Sequence, residues 1–192
     1  MTIDELRQDI TFATTLRNHS FKFVSTWGLF SPKSIDEGTG LLIDQLEINP
    51  GDDCLDLGCG YGPLGLILAK LAPSGTTHLV DKDFVAVDYS NRNIELNKFT
   101  NARAYLSNGF DQIDPELKFD VIVSNIPAKI GGELLSIFLA DAHARLKPNG
   151  KLYVVTISGL KDYIKRNLTE SFGNYDKLKQ SRTYTAAVAI KR

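Results

Sequence analysis

A chain of 192 residues with 43% hydrophobic and 23% charged side chains has room for one domain with a sizeable core, and its balance excludes disordered and fibrous classes. No apolar run reaches bilayer length and the N-terminus lacks a signal-peptide pattern, so no membrane span is expected and the expected compartment is the cytoplasm. Cys54 and Cys59 are the only cysteines, too few for a disulfide framework or a zinc site, and read as two small buried side chains. The formal charge of −1 conceals an asymmetry, because from Lys151 onward nine Lys and Arg face three acids, +6 there and −7 elsewhere. Such a stretch is either a nucleic-acid footprint or a solvated face, and charge alone leaves both open.

Thr2-Ile3-Asp4-Glu5 has the form of a capping box, which predicts a short helix to about Ile10. Phe21-Lys22-Phe23-Val24 and Gly28-Leu29-Phe30-Ser31 read as two strands of a hairpin turning around Ser25-Thr26-Trp27, with Trp27 as packing. Asp36 then caps a helix through Leu41, Leu42, Ile43 and Leu46, which Asn49-Pro50-Gly51 stops. Residues 1–50 are therefore expected to form a helix and hairpin cover, part of the same domain as residues 51–192.

From Asp52 strand and helix alternate. A short apolar run from Cys54 that ends at the acid Asp56, then Thr77–Asp81, Ala102–Ser107, Phe119–Ser124 and Leu152–Ile157 read as strands. Pro63–Lys70, Phe84–Asn97 with Asp83 as its cap, Leu134–Leu146 closed by Pro148-Asn149-Gly150, and Leu160–Phe172 ended by Gly173 read as helices. Tyr175–Lys179 and Tyr184–Ile190 close the chain as a hairpin pair. This rhythm specifies an α/β fold, a doubly wound Rossmann-like sheet, mostly parallel with one antiparallel strand near the C-terminus. Ligands of such sheets bind at the carboxyl ends of the strands.

The strand ends carry the polar groups. Asp56-Leu57-Gly58-Cys59-Gly60-Tyr61-Gly62 follows the first strand, and the free N–H groups of the helix opened by Pro63 are expected to favour an anionic or hydrogen-bonding group. The run fits two ligands. Gly60 to Gly65 spells the dinucleotide fingerprint G-x-G-x-x-G, whereas D-x-G-x-G-x-G from Asp56 to Gly62 fits S-adenosylmethionine. Asp56 would repel a pyrophosphate and tolerate a sulfonium and an ammonium group. The chain has little room for the second domain of a dehydrogenase, so S-adenosylmethionine is the expected cofactor and a nicotinamide enzyme the minor reading.

Asp81, with Lys82 beside it, ends the second strand at the spacing of an acid that accepts from two ribose hydroxyls. Asn108-Gly109 ends the third, where Asn108 reads either as an adenine-edge contact or as a turn residue. Phe110 reads as an adenine neighbour or as core. Asn125-Ile126-Pro127 ends the fourth. An exocyclic amine on a base is a poor nucleophile because its lone pair is delocalised. Acceptors at the Asn125 side-chain oxygen and the Ile126 carbonyl would favour its pyramidal form, and Pro127 would stiffen the loop. A turn-forming Asn-x-Pro is the plain alternative.

Gly28-Leu29-Phe30-Ser31, Ile35-Asp36-Glu37-Gly38-Thr39, Leu55 to Gly62 and Ser124-Asn125-Ile126-Pro127 occur in the order and spacing of the methyltransferase small domain family, which the chain resembles from about Phe21 onward. The resemblance is to single-domain relatives of the ribosomal RNA guanine-N2 methyltransferases. It implies S-adenosylmethionine as methyl donor, an exocyclic amine such as guanine N2 in ribosomal or other RNA as acceptor, and a segment from Phe30 to Thr39 that closes over the cofactor. The implied catalytic set is Asn125, Ile126 and Pro127. The implied cofactor set is Phe30, Thr39, Asp56, Gly58, Gly60, Tyr61, Gly62, Asp81, Lys82, Asn108, Gly109 and Asn125. Two departures stand out: the family's Asn-Pro-Pro is Asn125-Ile126-Pro127, and the position after it, often an aromatic that stacks on the base, is Ala128. Losing that platform forfeits about 1–3 kcal/mol of stacking. A protein-glutamine or small-molecule methyltransferase, or a non-catalytic binding module for S-adenosylmethionine or RNA, are the alternatives these departures keep open.

Overall fold

The computed structural model describes residue 2 and residues 8–192. The capping-box helix lies mostly outside the described residues, and Ile10 already opens a strand. Strands β1 (Ile10–Leu16) and β2 (His19–Ser25) pair antiparallel from Ile10 with Ser25 to Leu16 with His19. Arg17 and Asn18 turn between them at φ 46° and 66°, the two-residue turn whose twist matches its strands. This corrects the expected hairpin: the partner of β2 precedes it, and residues 28–31 form turns. The reason is local. Residues 10–15 alternate half-buried and exposed with period two, whereas Gly28 and Ser31 adopt φ 99° and 49°, which breaks an extended run.

Helix α1 (Glu37–Ile43) starts where expected, with the Asp36 carboxylate accepting from the Thr39 N–H, and ends a turn sooner than expected. The main unit then runs β3 (Cys54–Leu57), α2 (Pro63–Leu71), β4 (Thr77–Asp81), α3 (Phe84–Leu96), β5 (Ala102–Leu106), β6 (Phe119–Asn125), α4 (Gly132–Arg145), β7 (Leu146–Ile157), α5 (Lys161–Phe172), β8 (Asp176–Gln180) and β9 (Tyr184–Ile190). Its seven strands lie in the order β5-β4-β3-β6-β7-β9-β8. β9 is antiparallel to both neighbours, and β3 to β7 are mutually parallel. Pro148-Asn149-Gly150 does not precede the fifth strand but interrupts it: Phe119 pairs with Leu146 and Val121 with Lys151, so the residues between bulge out.

Strand alternation divides the core in two. Cys54, Val121, Val123, Tyr153 and Val155 face α1, α2, α3 and the β1–β2 hairpin, while Leu55, Leu57, Ile122, Leu152 and Val154 face α4 and α5. Phe21, Phe23 and Leu42 share the first cluster with Leu66 and Ile67, so residues 16–46 and the main sheet bury a common core. Phe110 belongs to the second cluster. Trp27 is half-buried and carries the Lys33 ammonium 4.6 Å above its ring. Among the described residues no helix is long and apolar enough to cross a membrane.

Two buried polar side chains hold this arrangement. Asn93 on α3 is sealed from solvent; its oxygen accepts the Val24 N–H at 2.7 Å, and its amide donates to the carbonyls of Val24 and Tyr61 at 2.8 and 2.9 Å. It thus supplies β2 with the partner a neighbouring strand would provide. Asp56, also sealed, faces α2 and accepts the Gly65 N–H at 2.8 Å, while its other oxygen has no partner among the described residues. Gly65 is required there, because a Cβ would stand 2.3 Å from Leu79. Burial, opposed by the Gly65 N–H and reinforced by the charge of Asp81, pushes the Asp56 carboxyl up to about 7.

Asn93→Ala leaves three buried backbone groups unpaired and is expected to cost roughly 2–4 kcal/mol in urea unfolding, with faster proteolysis at the Arg17-Asn18 turn. Between about pH 4 and 7 the folded protein binds the Asp56 proton more tightly than the unfolded chain does, so stability falls as pH rises through that window. Asp56→Asn removes that contribution: its stability relative to wild type should improve steadily from pH 4 to pH 7 and be flat on either side.

Candidate active site

The topology brings the ends of β3, β4, β5 and β6 to one edge of the sheet, and with them Asp56 to Gly62, Asp81, Asn108 and Asn125. The floor of this edge is the turn after β3. Gly58 and Gly60 adopt φ 80° and 56°, and a Cβ on either would meet nothing within 4 Å, so the backbone lies open to a ligand. Its donors are largely spent, however. The N–H groups of Gly58 and Cys59 both reach the Val80 carbonyl, Gly60 donates to Asp81, and Gly62 to the Cys59 carbonyl. At the helix start Pro63 has no N–H and Gly65 is taken by Asp56. This corrects the expectation of free donors for an anion: the Asp56 carboxylate already occupies the α2 N-terminus. A pyrophosphate would find the Gly65 donor already taken and an acidic group behind it, which counts against the dinucleotide reading.

Tyr61 turns away from the opening. It is buried among Phe12 and Phe23, and its hydroxyl lies 3.1 Å from the carbonyls of Ser31 and Ser34, tying residues 31–34 to the glycine turn. Its side chain therefore anchors the segment that carries Phe30, which is 63% exposed. Cys59 is sealed between Gly60 and Ser90, and burial pushes its thiol well up, so it stays a neutral, small side chain.

Asp81 is half-buried, with one oxygen on the Gly60 N–H and the other on the Asp83 N–H, both at 3.0 Å; each oxygen retains a lone pair for a further donor. Asp83, not Asp81, caps α3. Lys82 is exposed. Asn108 is exposed at a turn in which Gly109 has φ 60°; its carbonyl accepts the Asp111 N–H and its side-chain amide donates to Asp111 Oδ2 at 3.5 Å, the geometry of a turn residue.

Asn125, the last residue of β6, has the most determined geometry of the set. Its amide nitrogen donates to Asp36 Oδ2 at 3.1 Å and to Thr39 Oγ1 at 3.0 Å. Its oxygen accepts no bond among the described residues and is not sealed in. The Ile126 N–H pairs with the Val155 carbonyl, while the Ile126 carbonyl takes no partner among the described residues. Pro127 and Ala128 are exposed, and the Pro127 carbonyl accepts from Ile130 in a tight loop. Two free acceptors thus stand next to one another at the edge of the sheet.

Two residues of this network are bonded in ways that sequence reasoning did not assign: Asp36, read there as a helix cap, and Tyr184, read there as the start of the last strand. The Tyr184 hydroxyl donates to Asp36 Oδ1 at 2.9 Å. Its burial and the adjoining Asp36 and Glu37 charges hold that hydroxyl above its ordinary pKa, so it remains a donor. The available signal was the Asp36-Glu37-Gly38 run, since a Cβ at Gly38 would lie 2.5 Å from the Tyr184 ring.

The edge as a whole combines an open glycine backbone, a sealed carboxylate with an unsatisfied oxygen, a second carboxylate at the rim and a pair of free carbonyl acceptors. That donor and charge set fits S-adenosylmethionine, whose ammonium and sulfonium suit acidic surroundings and whose ribose offers two O–H donors.

Comparison with known proteins agrees. Residues 20–187 match the methyltransferase small domain family. The uncharacterized protein YbxB of Bacillus subtilis is 38% identical over 148 residues, covering 76% of this chain and 73% of its own length. The ribosomal protein L11 methyltransferase of Geobacillus thermodenitrificans is 30% identical over 220 aligned positions, covering 100% of this chain and 68% of its own. Among solved structures, the T. thermophilus 16S rRNA guanine-N2 methyltransferase in complex with AdoMet and guanosine superposes with a TM-score of 0.86 at 30% identity, over 96% of this chain and 51% of that one. The chain thus spans about half the length of that RNA enzyme. The match over residues 20–187, together with the glycine turn and the Asn125 loop at the same sheet edge, identifies the chain as a member of the methyltransferase small domain family, an S-adenosylmethionine-dependent methyltransferase.

Proposed function

We propose that the protein methylates an exocyclic amine of guanine, at N2, in ribosomal or other RNA. The observation that carries this reading is the Asn125 side chain, whose two amide hydrogens are committed to Asp36 and Thr39 and whose oxygen is left to accept. With the neighbouring Ile126 carbonyl it forms two acceptors suited to the two hydrogens of a planar amine. Bonded in this way, the amine nitrogen gains pyramidal character and its lone pair becomes available. Bound S-adenosylmethionine supplies a methyl on a sulfonium, already a good leaving group. The chain's own work is then alignment: Asn125 and Ile126 orient the nitrogen, Pro127 holds the loop, and the spent amine proton passes to solvent.

In this reading the open backbone at Gly58 and Gly60 lies beneath the cofactor, with Asp56 and the backbone of Tyr61 at its inner end, while Gly62 packs its Cα face against Leu66, Ser90 and Leu79. Asp81 and Lys82 take the ribose, Asn108 and Gly109 border the adenine, and Phe30 and Thr39 cover it from residues 1–50, a part of the same domain. Lys177 and Lys179 on the exposed edge strand β8, with Arg182 just beyond it, pair with backbone phosphates. The RNA relative of 30% identity supports this acceptor. One observation favours a second reading, a protein side-chain amide: Ala128 offers no stacking surface for a base, and the L11-type relative aligns along the whole chain.

The deciding experiment offers labelled S-adenosylmethionine with unmodified ribosomal RNA and with a protein extract, followed by nucleoside and amino-acid analysis. Label in N2-methylguanosine supports the proposal; label only in protein replaces it with the amide reading. Asn125→Ala is expected to lower kcat by about 10²–10³-fold while cofactor affinity in equilibrium dialysis changes little. Normal turnover by that variant would remove Asn125 from the reaction. Reversing the charges of Lys177, Lys179 and Arg182 should weaken RNA binding and reduce the slope of log K against log salt by about one for each phosphate no longer neutralised. An unchanged slope would dismiss β8 as a footprint.

A further inference from the structure

The amide of an asparagine has two nearly isosteric orientations, and they are opposites for an amine acceptor. One presents an oxygen that accepts the amine's hydrogen; the other presents an N–H that opposes it. A loop that uses Asn125 to polarise an amine therefore needs something that distinguishes the two. Asp36 has the chemistry to do so. Ionised, it accepts only, so the Asn125 group turned toward its Oδ2 at 3.1 Å must be the nitrogen. Thr39 Oγ1 takes the other hydrogen at 3.0 Å.

Capping α1 does not by itself require this arrangement. The cap uses a single bond, from the Thr39 N–H to Asp36 Oδ2 at 3.0 Å, and serine or asparagine would provide it. Asp36 instead places its second oxygen against the Tyr184 hydroxyl at 2.9 Å. Tyr184 opens β9, two strands away from β6, and its ring reaches Asp36 only because residue 38 is glycine. Ser181 adds a further tie from the same turn, its hydroxyl donating to Glu37 at 2.8 Å. The start of α1, the end of β6 and the start of β9 thus meet on one carboxylate.

We propose that Asp36, held in place by Tyr184, is a positioning residue that fixes the Asn125 amide with its oxygen toward the methyl acceptor. This rests on the reading of Asn125 as the amine-polarising group and extends it to a residue on the N-terminal cover. It also explains why the cover and the acceptor loop belong to one site: α1 sets the chemical identity of the group that β6 presents.

Two substitutions separate positioning from capping. Asp36→Ser keeps an N-cap but is too short to serve Asn125 as well. Asp36→Asn keeps an oxygen for Thr39 and Asn125 and can turn its new amide hydrogens to the Tyr184 hydroxyl, which then accepts. In protein labelled with 15N-asparagine, the Asn125 side-chain amide pair is identified by its disappearance in Asn125→Ala. The expected result is that Asp36→Ser shifts this pair and speeds its hydrogen exchange, while Asp36→Asn leaves its exchange slow. In turnover, Asp36→Ser should lose about 10-fold or more in kcat with the cofactor Kd changed by no more than about 3-fold, and Asp36→Asn should recover most of the loss. An unchanged amide pair in Asp36→Ser overturns the proposal, as does an equal loss of kcat in the two variants. Should wild-type protein transfer methyl to no acceptor, the function proposed for Asn125 fails, while the amide spectrum still decides whether Asp36 orients it.

Discussion

A carboxylate buried beneath the first strand-to-helix turn sets the terms for everything around it. Asp56 alternates with Leu55 and Leu57 along β3 and so must face the layer of α2 rather than that of α4. There it meets the Gly65 N–H, at the positive end of a helix that is buried from Pro63 to Ala69. This interaction ties the start of α2 to β3 and withdraws the helix terminus from phosphate binding, while Leu79, packed against the same turn, demands glycine at 65. It also leaves the ligand edge acidic, with an unsatisfied oxygen that a proton or a positively charged ligand relieves. Burying this group raises the energy of its charged form, and the site is built around that cost.

A second layer of organisation comes from side chains that join the first fifty residues to the sheet. Asn93 completes the hydrogen bonding of β2, Tyr61 holds residues 31–34, and Asp36 meets both Asn125 and Tyr184. Each of these ties ends close to the ligand edge, and each lies between residues far apart in sequence. The hairpin and α1 are therefore structural walls of this edge, and Asn125 at the end of β6 is hydrogen-bonded to a residue that the chain supplied about ninety positions earlier.

Much of this was legible from residue patterns. The strands and helices after Asp52, the caps at Asp36 and Asp83, the glycine at the end of α5 and the single reversed strand all carry strong local signals: apolar periods, capping residues and turn glycines. The hairpin was misplaced because Phe21 to Val24 has two possible partners, and the Arg17-Asn18 turn lacks the glycine that usually marks such a connection. The residues bulging from β7 were read as a loop before the strand because Pro148-Asn149-Gly150 is a turn wherever it occurs. The open helix N-terminus was expected because no rule of spacing reveals that a carboxylate nine residues earlier folds back to fill it.

Residue patterns were enough for the fold class, the sheet edge at which polar groups gather and the kinds of group found there, because periodicity, caps and glycine turns act over a few residues and survive in any context that allows the element. They did not determine which donors and acceptors at that edge remain free. Tyr61 is spent on a neighbouring loop, the N–H groups of Gly58, Cys59 and Gly60 on β4, that of Gly62 on the Cys59 carbonyl, and the Asn125 amide on Asp36 and Thr39. Hydrogen-bond partners are chosen by distance and direction in three dimensions, and each group can be used only as often as its protons and lone pairs permit. That accounting belongs to the tertiary structure, and with it the two oxygens, at Asn125 and Ile126, left without a partner among the described residues.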